Sequence, residues 1–291
     1  MSSKILITGT NGTFGRLTVE TLIAGGHQVA AAMRAPETRN RNAARALRDL
    51  GATIVAIDVT DDTSVEAGTK AAIDALGGLD VLVNNAGIGA HGIQEAFTPQ
   101  QLLDLYDINV VGTHRVTRAV LPHFRDEHSG LIVNVSSLLG RLIIPFYGPY
   151  SAAKFALEAL TETYRVELGG FGVDVALVEP GGFATPFYTG LALPGDQERL
   201  ATLGEFAKIP AGALAGYVHS IEANPAQDPA LVGEAILGII DTPAGARAFR
   251  TIVDRSGVAE AVESHNAATE TMLRTIYAAM GMSGMLALNR G

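Results

Sequence analysis

The sequence of 291 residues contains no cysteine, and no apolar run in it approaches the ~18 residues needed to cross a membrane. Without cysteine, a disulfide scaffold, a thiolate metal site and a cysteine nucleophile are all excluded. Basic residues are also few, since 21 Lys and Arg against 30 Asp and Glu give a formal net charge of −9. An acidic chain binds nucleic acids and anionic membranes poorly, so we expect neither as a partner.

Two further signals are missing from the sequence. No secretory leader is expected, because residues 4–8 already have the pattern of a β-strand. No metal site is expected either, because the seven histidines do not show the spacing of metal ligands. We therefore expect a soluble, cytoplasmic protein, and its 47% hydrophobic residues can form a substantial core.

Short β-branched runs alternate with longer helical patterns along the chain. The runs are continuously apolar, which is typical of parallel strands covered by helices on both faces. Strands are predicted at residues 4–8, 28–33, 53–57, 81–84, 131–136, 173–179 and 249–254. Helices are predicted at residues 14–24, 41–50, 63–76, 100–126, 151–168 and 228–240. This alternation predicts an α/β Rossmann fold with a doubly wound, mostly parallel seven-stranded sheet.

The domain organisation is expected to be simple. No linker, low-complexity tract or internal repeat divides the chain, so a single domain is predicted over residues 1–291. Residues 183–226 are rich in proline and glycine, and we expect them to form a helical lid over a substrate. Residues 257–282 have an amphipathic pattern that predicts a C-terminal helix.

A glycine-rich turn follows the first predicted strand and leads into the first predicted helix. Glycines there let the chain turn sharply and bring N–H groups close to a pyrophosphate, whose charge the helix N-terminus favours. The position of the turn between a strand and a helix therefore predicts a dinucleotide site. The residues expected to bind the dinucleotide here are Gly9, Thr10, Asn11, Gly12, Thr13, Phe14 and Gly15.

The end of the second predicted strand indicates which dinucleotide is bound. A carboxylate about 20 residues after the glycine turn would favour NAD, because it binds the ribose hydroxyls. Here the position carries Arg34, and no acid follows before Glu37. A guanidinium pairs well with a 2′-phosphate. The sequence therefore predicts NADP(H) as the cofactor in preference to NAD(H).

Tyr150 and Lys154 lie four residues apart at the start of a predicted helix, which places both side chains on one helical face. A phenol has an unperturbed pKa of about 10, and a neighbouring ammonium lowers it. The helix N-terminus acts in the same direction. We therefore expect the two residues to form an acid–base unit with an acidified phenol.

Ser136 and Ser137 follow the fifth predicted strand, at the carboxyl end where doubly wound sheets bind their ligands. With the glycine turn, the Asn-Asn-Ala-Gly segment at residues 84–87 and the Tyr150–Lys154 pair, they give a familiar order of motifs. From residue 4 to about residue 187 the sequence resembles the short-chain dehydrogenase/reductase family.

The resemblance implies a role for individual residues. It makes Tyr150 the general acid/base, Lys154 its partner and ligand of the nicotinamide ribose, and Ser137, thirteen residues before Tyr150, the substrate-orienting serine. Asn109 completes the catalytic tetrad as the residue that holds a water for proton relay. The further cofactor contacts that we expect are Asp58, Val59, Asn85, Ala86, Gly87, Pro180, Gly181, Phe183 and Thr185.

Aromatic and apolar residues cluster around the tyrosine and in the segment after residue 181. They predict a pocket with few charges for a hydrophobic ketone or alcohol. The residues expected to bind the substrate are Ser137, Leu139, Phe146, Tyr147, Phe187 and Tyr188. The family resemblance also implies a homodimer or homotetramer, built through the helices at residues 100–126 and 151–168.

These features predict an NADP(H)-dependent oxidoreductase that transfers a hydride between the nicotinamide and a carbonyl or secondary alcohol. The glycine spacing departs from that of the family's main branch, because position 13 is Thr. It resembles the extended and atypical branches instead. Two alternatives therefore stay open, a nucleotide-sugar epimerase or dehydratase and a non-catalytic regulator that senses NADP.

Overall fold

A sheet of seven parallel strands forms the centre of the computed structural model, which describes residues 2–289. The strands are β1 (Lys4–Ile7), β2 (Gln28–Met33), β3 (Thr53–Ala56), β4 (Val81–Asn84), β5 (Gly130–Val135), β6 (Val173–Pro180) and β7 (Arg250–Val253). Their order in the sheet is β3-β2-β1-β4-β5-β6-β7. The order reverses between β1 and β4, and such a reversal opens a crevice at the carboxyl ends of the strands. The predicted doubly wound sheet is confirmed.

Helices pack on both faces of the sheet, and further helices lie in the segments after β6 and after β7. They are α1 (Thr13–Ala24), α2 (Arg41–Asp49), α3 (Asp62–Leu76), α4 (Pro99–Tyr106), α5 (Gly112–Asp126), α6 (Gly148–Leu168), α7 (Gln197–Ala201), α8 (Ile209–Glu222), α9 (Ala230–Asp241) and α10 (Ala259–Ala279). A π-helical turn, Asp107–Val111, joins α4 to α5, so the helix predicted at residues 100–126 contains an irregular turn. Within residues 2–289, no helix is long and apolar enough to span a membrane.

The apolar pattern of the strands is explained by burial on both faces. In β1, Ile5 and Ile7 pack into one core cluster and Leu6 into the cluster on the opposite face, and none of the three is exposed. Burying such a side chain contributes roughly 1.5–3 kcal/mol. The helix ends are set by local chemistry, as where the Asp61 carboxylate accepts from the N–H of Ser64 and Gly77 ends α3 in the left-handed conformation.

The two regions that stand apart in the sequence are helical in the structure. Residues 183–226 contain α7 and α8 together with two short 3₁₀ turns, and α10 occupies most of residues 257–282. The lid over a substrate that we expect residues 183–226 to form stays a prediction.

Candidate active site

The glycine turn is packed so tightly that two of its three glycines leave no room for a side chain. Gly9 has a φ of +70°, and a Cβ on it would lie 2.7 Å from the Cα of Ala86. A Cβ on Gly15 would lie 2.4 Å from the carbonyl oxygen of Gly9. Gly12 is different, because its Cβ would meet only the Gly9 oxygen, at 3.5 Å. Gly12 is the N-cap of α1 and provides no side-chain cap, which is the arrangement in which helix N–H groups bind an anion.

The turn opens on a cavity of about 460 Å³, which we name the cleft. The residues expected from the sequence that line the cleft are Gly9, Asn11, Gly12, Thr13, Phe14, Gly15, Arg34, Asp58, Val59, Asn85, Ala86, Gly87, Tyr150, Lys154 and Thr185. The size of the cleft, its uncapped helix N-terminus and its closely approached backbone fit a dinucleotide. The part of the chain that the structure describes contains no cluster of His, Cys, Asp and Glu that could hold a metal ion.

Thr10 is the residue of the glycine turn that does not line the cleft, and its expected role in cofactor binding stays a prediction. Its N–H and its hydroxyl both donate to the carbonyl oxygen of Ala32, each at 3.1 Å, and the residue is completely buried. The side chain therefore ties the turn to β2 and lines no part of the cleft.

Asn85 holds the glycine turn against the end of β4. Its side-chain Nδ2 donates to the carbonyl oxygens of Thr8 at 2.9 Å and of Gly9 at 3.2 Å. The Thr8 hydroxyl accepts in return from the N–H groups of Asn85 and Ala86, each at 3.1 Å. The Asn-Asn-Ala-Gly segment thus fixes the floor of the cleft.

Arg34 lies at the end of the cleft formed by β2 and β3. Its guanidinium is 3.8 Å from the carboxylate of Asp58, and its side chain is 46% exposed. An exposed ion pair of this kind contributes about 0–1 kcal/mol, so it does not withhold the guanidinium from an anion in the cleft.

Tyr150 is buried on α6, where it faces the hydroxyl of Ser137. Burial raises the pKa of Tyr150 to about 12, and the interaction with Ser137 opposes this shift. The expectation of an acidified phenol is therefore wrong for this structure. The cause is the cost of burying a phenolate, which exceeds the stabilisation that its neighbours supply.

Lys154 is also buried, and its Nζ donates to the carbonyl oxygen of Val135 at 2.9 Å. Burial lowers its pKa to about 8, while the negative charge of Glu158 opposes this shift. The ammonium lies 5.8 Å from the centre of the Tyr150 ring. At neutral pH the pair is thus a protonated phenol beside a largely charged amine, which is the state that a proton donor requires.

A second, smaller cavity of about 210 Å³ adjoins Tyr150, and we name it the side cavity. Five of the six residues expected to bind the substrate line it, namely Ser137, Leu139, Tyr147, Phe187 and Tyr188. Pro180, Gly181 and Phe183, expected at the cofactor, line this cavity rather than the cleft. Tyr150 lines both spaces, so its phenol stands at their junction.

Comparison with known proteins agrees with this arrangement. Residues 3–192 match the family model of the short chain dehydrogenases. The chain belongs to the short-chain dehydrogenase family. A 3-ketodihydrosphingosine reductase of Bacteroides thetaiotaomicron is 38% identical over 183 residues, which are 63% of this chain and 65% of the reductase. The aligned part therefore spans slightly less than two thirds of that relative.

Solved structures of the family superpose over nearly the whole chain. A short-chain dehydrogenase of Streptomyces avermitilis has a TM-score of 0.74 at 31% identity and covers 97% of this chain and 98% of its own. A short-chain dehydrogenase/reductase of Burkholderia phymatum, solved in complex with NAD, has a TM-score of 0.74 at 25% identity and covers 93% and 95%. The family resemblance and the fold expected from the sequence are thus confirmed.

Asn109, which the family resemblance makes the fourth member of the catalytic tetrad, is fixed through its side-chain amide. Its side-chain Oδ1 accepts from the N–H of Ile88 and its Nδ2 donates to the carbonyl oxygen of Ile88, both at 2.8 Å. The residue is buried in the π-helical turn and lines neither cavity. Because both ends of its amide contact Ile88, the Asn109 side chain holds the segment after β4 in place. The expected role of Asn109 in holding a water for proton relay stays a prediction.

Phe146 is the expected substrate residue that lines neither cavity. Its φ of +69° is rare for a side chain with a Cβ. Its ring packs against His91, at 6.0 Å between ring centres, and against Phe206 at 6.4 Å. The backbone turn directs the ring toward His91 and Phe206 and away from both cavities, and the assignment of Phe146 to the substrate pocket stays a prediction.

The two serines after β5 have different hydrogen-bond partners. Ser136 donates to the Oε1 of Glu158 at 2.7 Å. Glu158 is buried and contacts Arg250 of β7, which also contacts Glu179. Ser136 thus belongs to a buried ion network, which leaves Ser137 as the hydroxyl that faces Tyr150.

Sequence reasoning missed the residues that reach the side cavity from the last third of the chain. They are Tyr217 of α8 together with Asp254, Ser256 and Val258, which follow β7. The buried Asp254 carboxylate accepts from the side chains of Gln227 and Ser256 and from the N–H groups of Ser256 and Val258. The position of Asp254 at the carboxyl end of a strand was a usable signal, whereas nothing in the sequence marks Tyr217.

Proposed function

We propose that this short-chain dehydrogenase transfers a hydride between NADP(H) and the carbonyl or secondary alcohol group of an uncharged, apolar substrate. The position of Tyr150 at the junction of the cleft and the side cavity carries the proposal. A proton donor at that point serves a reaction between a dinucleotide in one space and a small molecule in the other. The Bacteroides relative is named a 3-ketodihydrosphingosine reductase, and reduction of a ketone is the same chemistry.

The residues divide the proton chemistry among themselves. A dinucleotide bound in the cleft supplies the hydride. Ser137 orients the carbonyl oxygen, and Tyr150 gives that oxygen its proton. The charge of Lys154 favours the phenolate that remains. General acid catalysis of this kind contributes about 10²–10⁴-fold to the rate. Oxidation follows the same path in reverse and requires Tyr150 to lose its proton first.

The side cavity supports an uncharged substrate. Its described lining contains the carboxylate of Asp254 but no Lys, Arg or His, so nothing there neutralises an anion. Its volume of about 210 Å³ is below the ~300–1,000 Å³ typical of small-molecule sites. A small ketone or alcohol group carried by an apolar molecule fits a cavity that is small and has no cation in its described lining.

Arg34 supports NADP(H) over NAD(H). It is the cation of the cleft lining at the end opposite Lys154, and its guanidinium is half exposed there. A 2′-phosphate would add a charge-assisted, two-pronged contact at this place. The Burkholderia relative was solved with NAD, and a metagenomic short-chain oxidoreductase of the same fold was solved with NADP, so the fold by itself does not determine the preference. The side chains at this end of the cleft are the feature that can do so.

A panel of ketones with each dinucleotide tests the proposal. The absorbance of NADPH and NADH is followed with neutral apolar ketones and with keto acids of similar size. We expect turnover of neutral ketones with NADPH, and at least a ~10-fold lower kcat/KM for the keto acids, since a lost or unpaired ionic contact costs about 1.5–3 kcal/mol. Failure to reduce any ketone, or a preference for the keto acids, would contradict the proposal.

The two alternative functions rest on the glycine spacing, and the geometry of the site favours neither of them. Ser137, Tyr150 and Lys154 meet at one site, which a regulator that only senses NADP does not need.

We also propose that the protein forms a homodimer or homotetramer through α4, α5 and α6. Leu103, Phe155 and Leu160 are exposed on these helices. Sedimentation of the protein and of Phe155→Glu would test this, since a monomeric wild type would contradict it.

A further inference from the structure

One polar group of the side cavity is unused by the chemistry proposed above. The other polar side chains that line the cavity have partners: Ser136 with Glu158, Ser137 with Tyr150, Tyr188 with Tyr217, Thr185 with the N–H of Phe187, and Asp254 with Ser256 and Gln227. The hydroxyl of Tyr147 has none among residues 2–289, although it is buried. A buried hydroxyl without a hydrogen bond is costly, and native proteins contain few of them.

Tyr147 is held rigidly. It is only 4% exposed and is the N-cap residue of α6, with its carbonyl oxygen accepting from the N–H of Ser151 at 2.8 Å. Its ring packs edge-on against His91, at 4.6 Å between ring centres. Burial lowers the pKa of His91, so the imidazole is neutral at neutral pH and acts as an apolar support for the ring.

The Tyr147 phenol belongs to the surroundings of the reacting group. Tyr147 lines the side cavity together with Tyr150 and Tyr217. Burial raises the pKa of Tyr147, and the nearby phenols of Tyr217 and Tyr150 raise it further. The hydroxyl therefore stays protonated beside the position of the reacting carbonyl, where it can donate to or accept from a ligand atom.

We propose that the Tyr147 hydroxyl binds a second oxygen of the substrate, so that the preferred substrates are uncharged ketones that also carry a hydroxyl or a second carbonyl group. The proposal rests on the proposed function for the identity of the reacting group. It adds the specificity that a positioned polar group in an apolar cavity provides, because an analogue without the matching oxygen leaves that group unpaired.

Matched pairs of ketones test this inference. The probes are cyclohexanone and its hydroxy- and oxo-substituted derivatives, with the second oxygen at each ring position in turn. We expect wild type to have a higher kcat/KM for at least one derivative than for cyclohexanone. Tyr147→Phe should lower that ratio about 10-fold, the value of one hydrogen bond. Tyr164→Phe, which removes a phenol hydroxyl beside His114 and outside both cavities, is the matched control and should keep the ratio of wild type.

Binding and stability give readouts that do not depend on turnover. Calorimetric titration with cyclohexanol and its hydroxylated derivatives should show the same loss of discrimination in Tyr147→Phe. The Tm of Tyr147→Phe should be equal to or above that of wild type, because the variant loses an unpaired buried hydroxyl. Equal ratios of kcat/KM and of Kd in the variant and in wild type would overturn the inference. Absence of all ketone turnover with discrimination in binding intact would overturn only the proposed function.

Discussion

The cleft and the side cavity meet at Tyr150 but are built in different ways. The cleft is formed mainly by backbone at the carboxyl ends of β1 to β4, where close approaches such as that of Gly15 to Gly9 determine its shape. The side cavity is lined by Phe14 and by residues of four segments beyond residue 135, and its properties depend on which side chains these are. The comparison teaches that the shape of the cleft depends on how closely the chain packs at the glycine turn, whereas the properties of the side cavity depend on individual side chains.

Tyr150→Phe separates the two spaces most sharply. The substitution removes the proton donor but keeps the ring in its place. Turnover should fall about 10²–10⁴-fold, the contribution of general acid catalysis, while dinucleotide binding persists. Steady-state kinetics and a fluorescence titration of NADPH measure the two effects. Turnover near that of wild type would show that Tyr150 is not the donor.

Arg34→Ala tests the part of the cleft that does depend on a side chain. Loss of a charge-assisted contact of about 1.5–3 kcal/mol should raise the KM for NADPH roughly 10- to 100-fold and leave the KM for NADH nearly constant. Arg45→Ala is the matched control, because Arg45 is an exposed arginine of α2 that pairs with Asp49 and does not line the cleft. If both variants keep the NADPH preference of wild type, Arg34 does not bind the 2′-phosphate.

Gly15→Ala tests whether backbone packing determines the cleft. The new Cβ would lie 2.4 Å from the Gly9 carbonyl oxygen, so the turn must shift, at a cost of about 1–3 kcal/mol in the free energy of unfolding. Gly190→Ala is the control, since Gly190 also lines the cleft but a Cβ there meets nothing within 4 Å. Thermal unfolding should show a lower Tm, and titration a weaker affinity for NADPH, only in Gly15→Ala. Equal behaviour of the two would argue against a packed turn.

The pH dependence is the smallest effect expected near neutral pH. Because the pKa of Lys154 is lowered to about 8, its charge is present below that pH and is lost as the pH rises through it. Tyr150, with its pKa raised to about 12, stays protonated over the same range. The kcat/KM for reduction should therefore be level below pH 8 and fall about tenfold per pH unit above it. A profile that is level to pH 10 would mean that the charge of Lys154 is not required.

Much of the fold and of the cleft could be predicted from the sequence because both depend on patterns that are local in the chain. Continuous apolar runs predicted the strands, and the glycines at positions 9, 12 and 15 predicted the turn. Thr10 shows the limit of such reasoning, since a motif does not say which way each of its side chains points. The direction of the Tyr150 pKa shift was also missed, because burial is a property of the folded protein.

The side cavity could be predicted only in part. Tyr147 and Tyr188 were within reach of sequence reasoning because they lie close to Tyr150 and to residue 181 in the chain. Tyr217 lies on α8, and only the path of the chain between β6 and β7 brings it to the cavity. Phe146 lay just as close in sequence, yet a positive φ directs its ring toward His91.

A crystal structure of the ternary complex with NADP and a neutral hydroxyketone is the most direct test of the central claim. The account predicts the dinucleotide in the cleft and the ketone oxygen within about 3 Å of both the Tyr150 Oη and the Ser137 Oγ. It would be contradicted by a ketone bound elsewhere, or by a carbonyl group turned away from Tyr150.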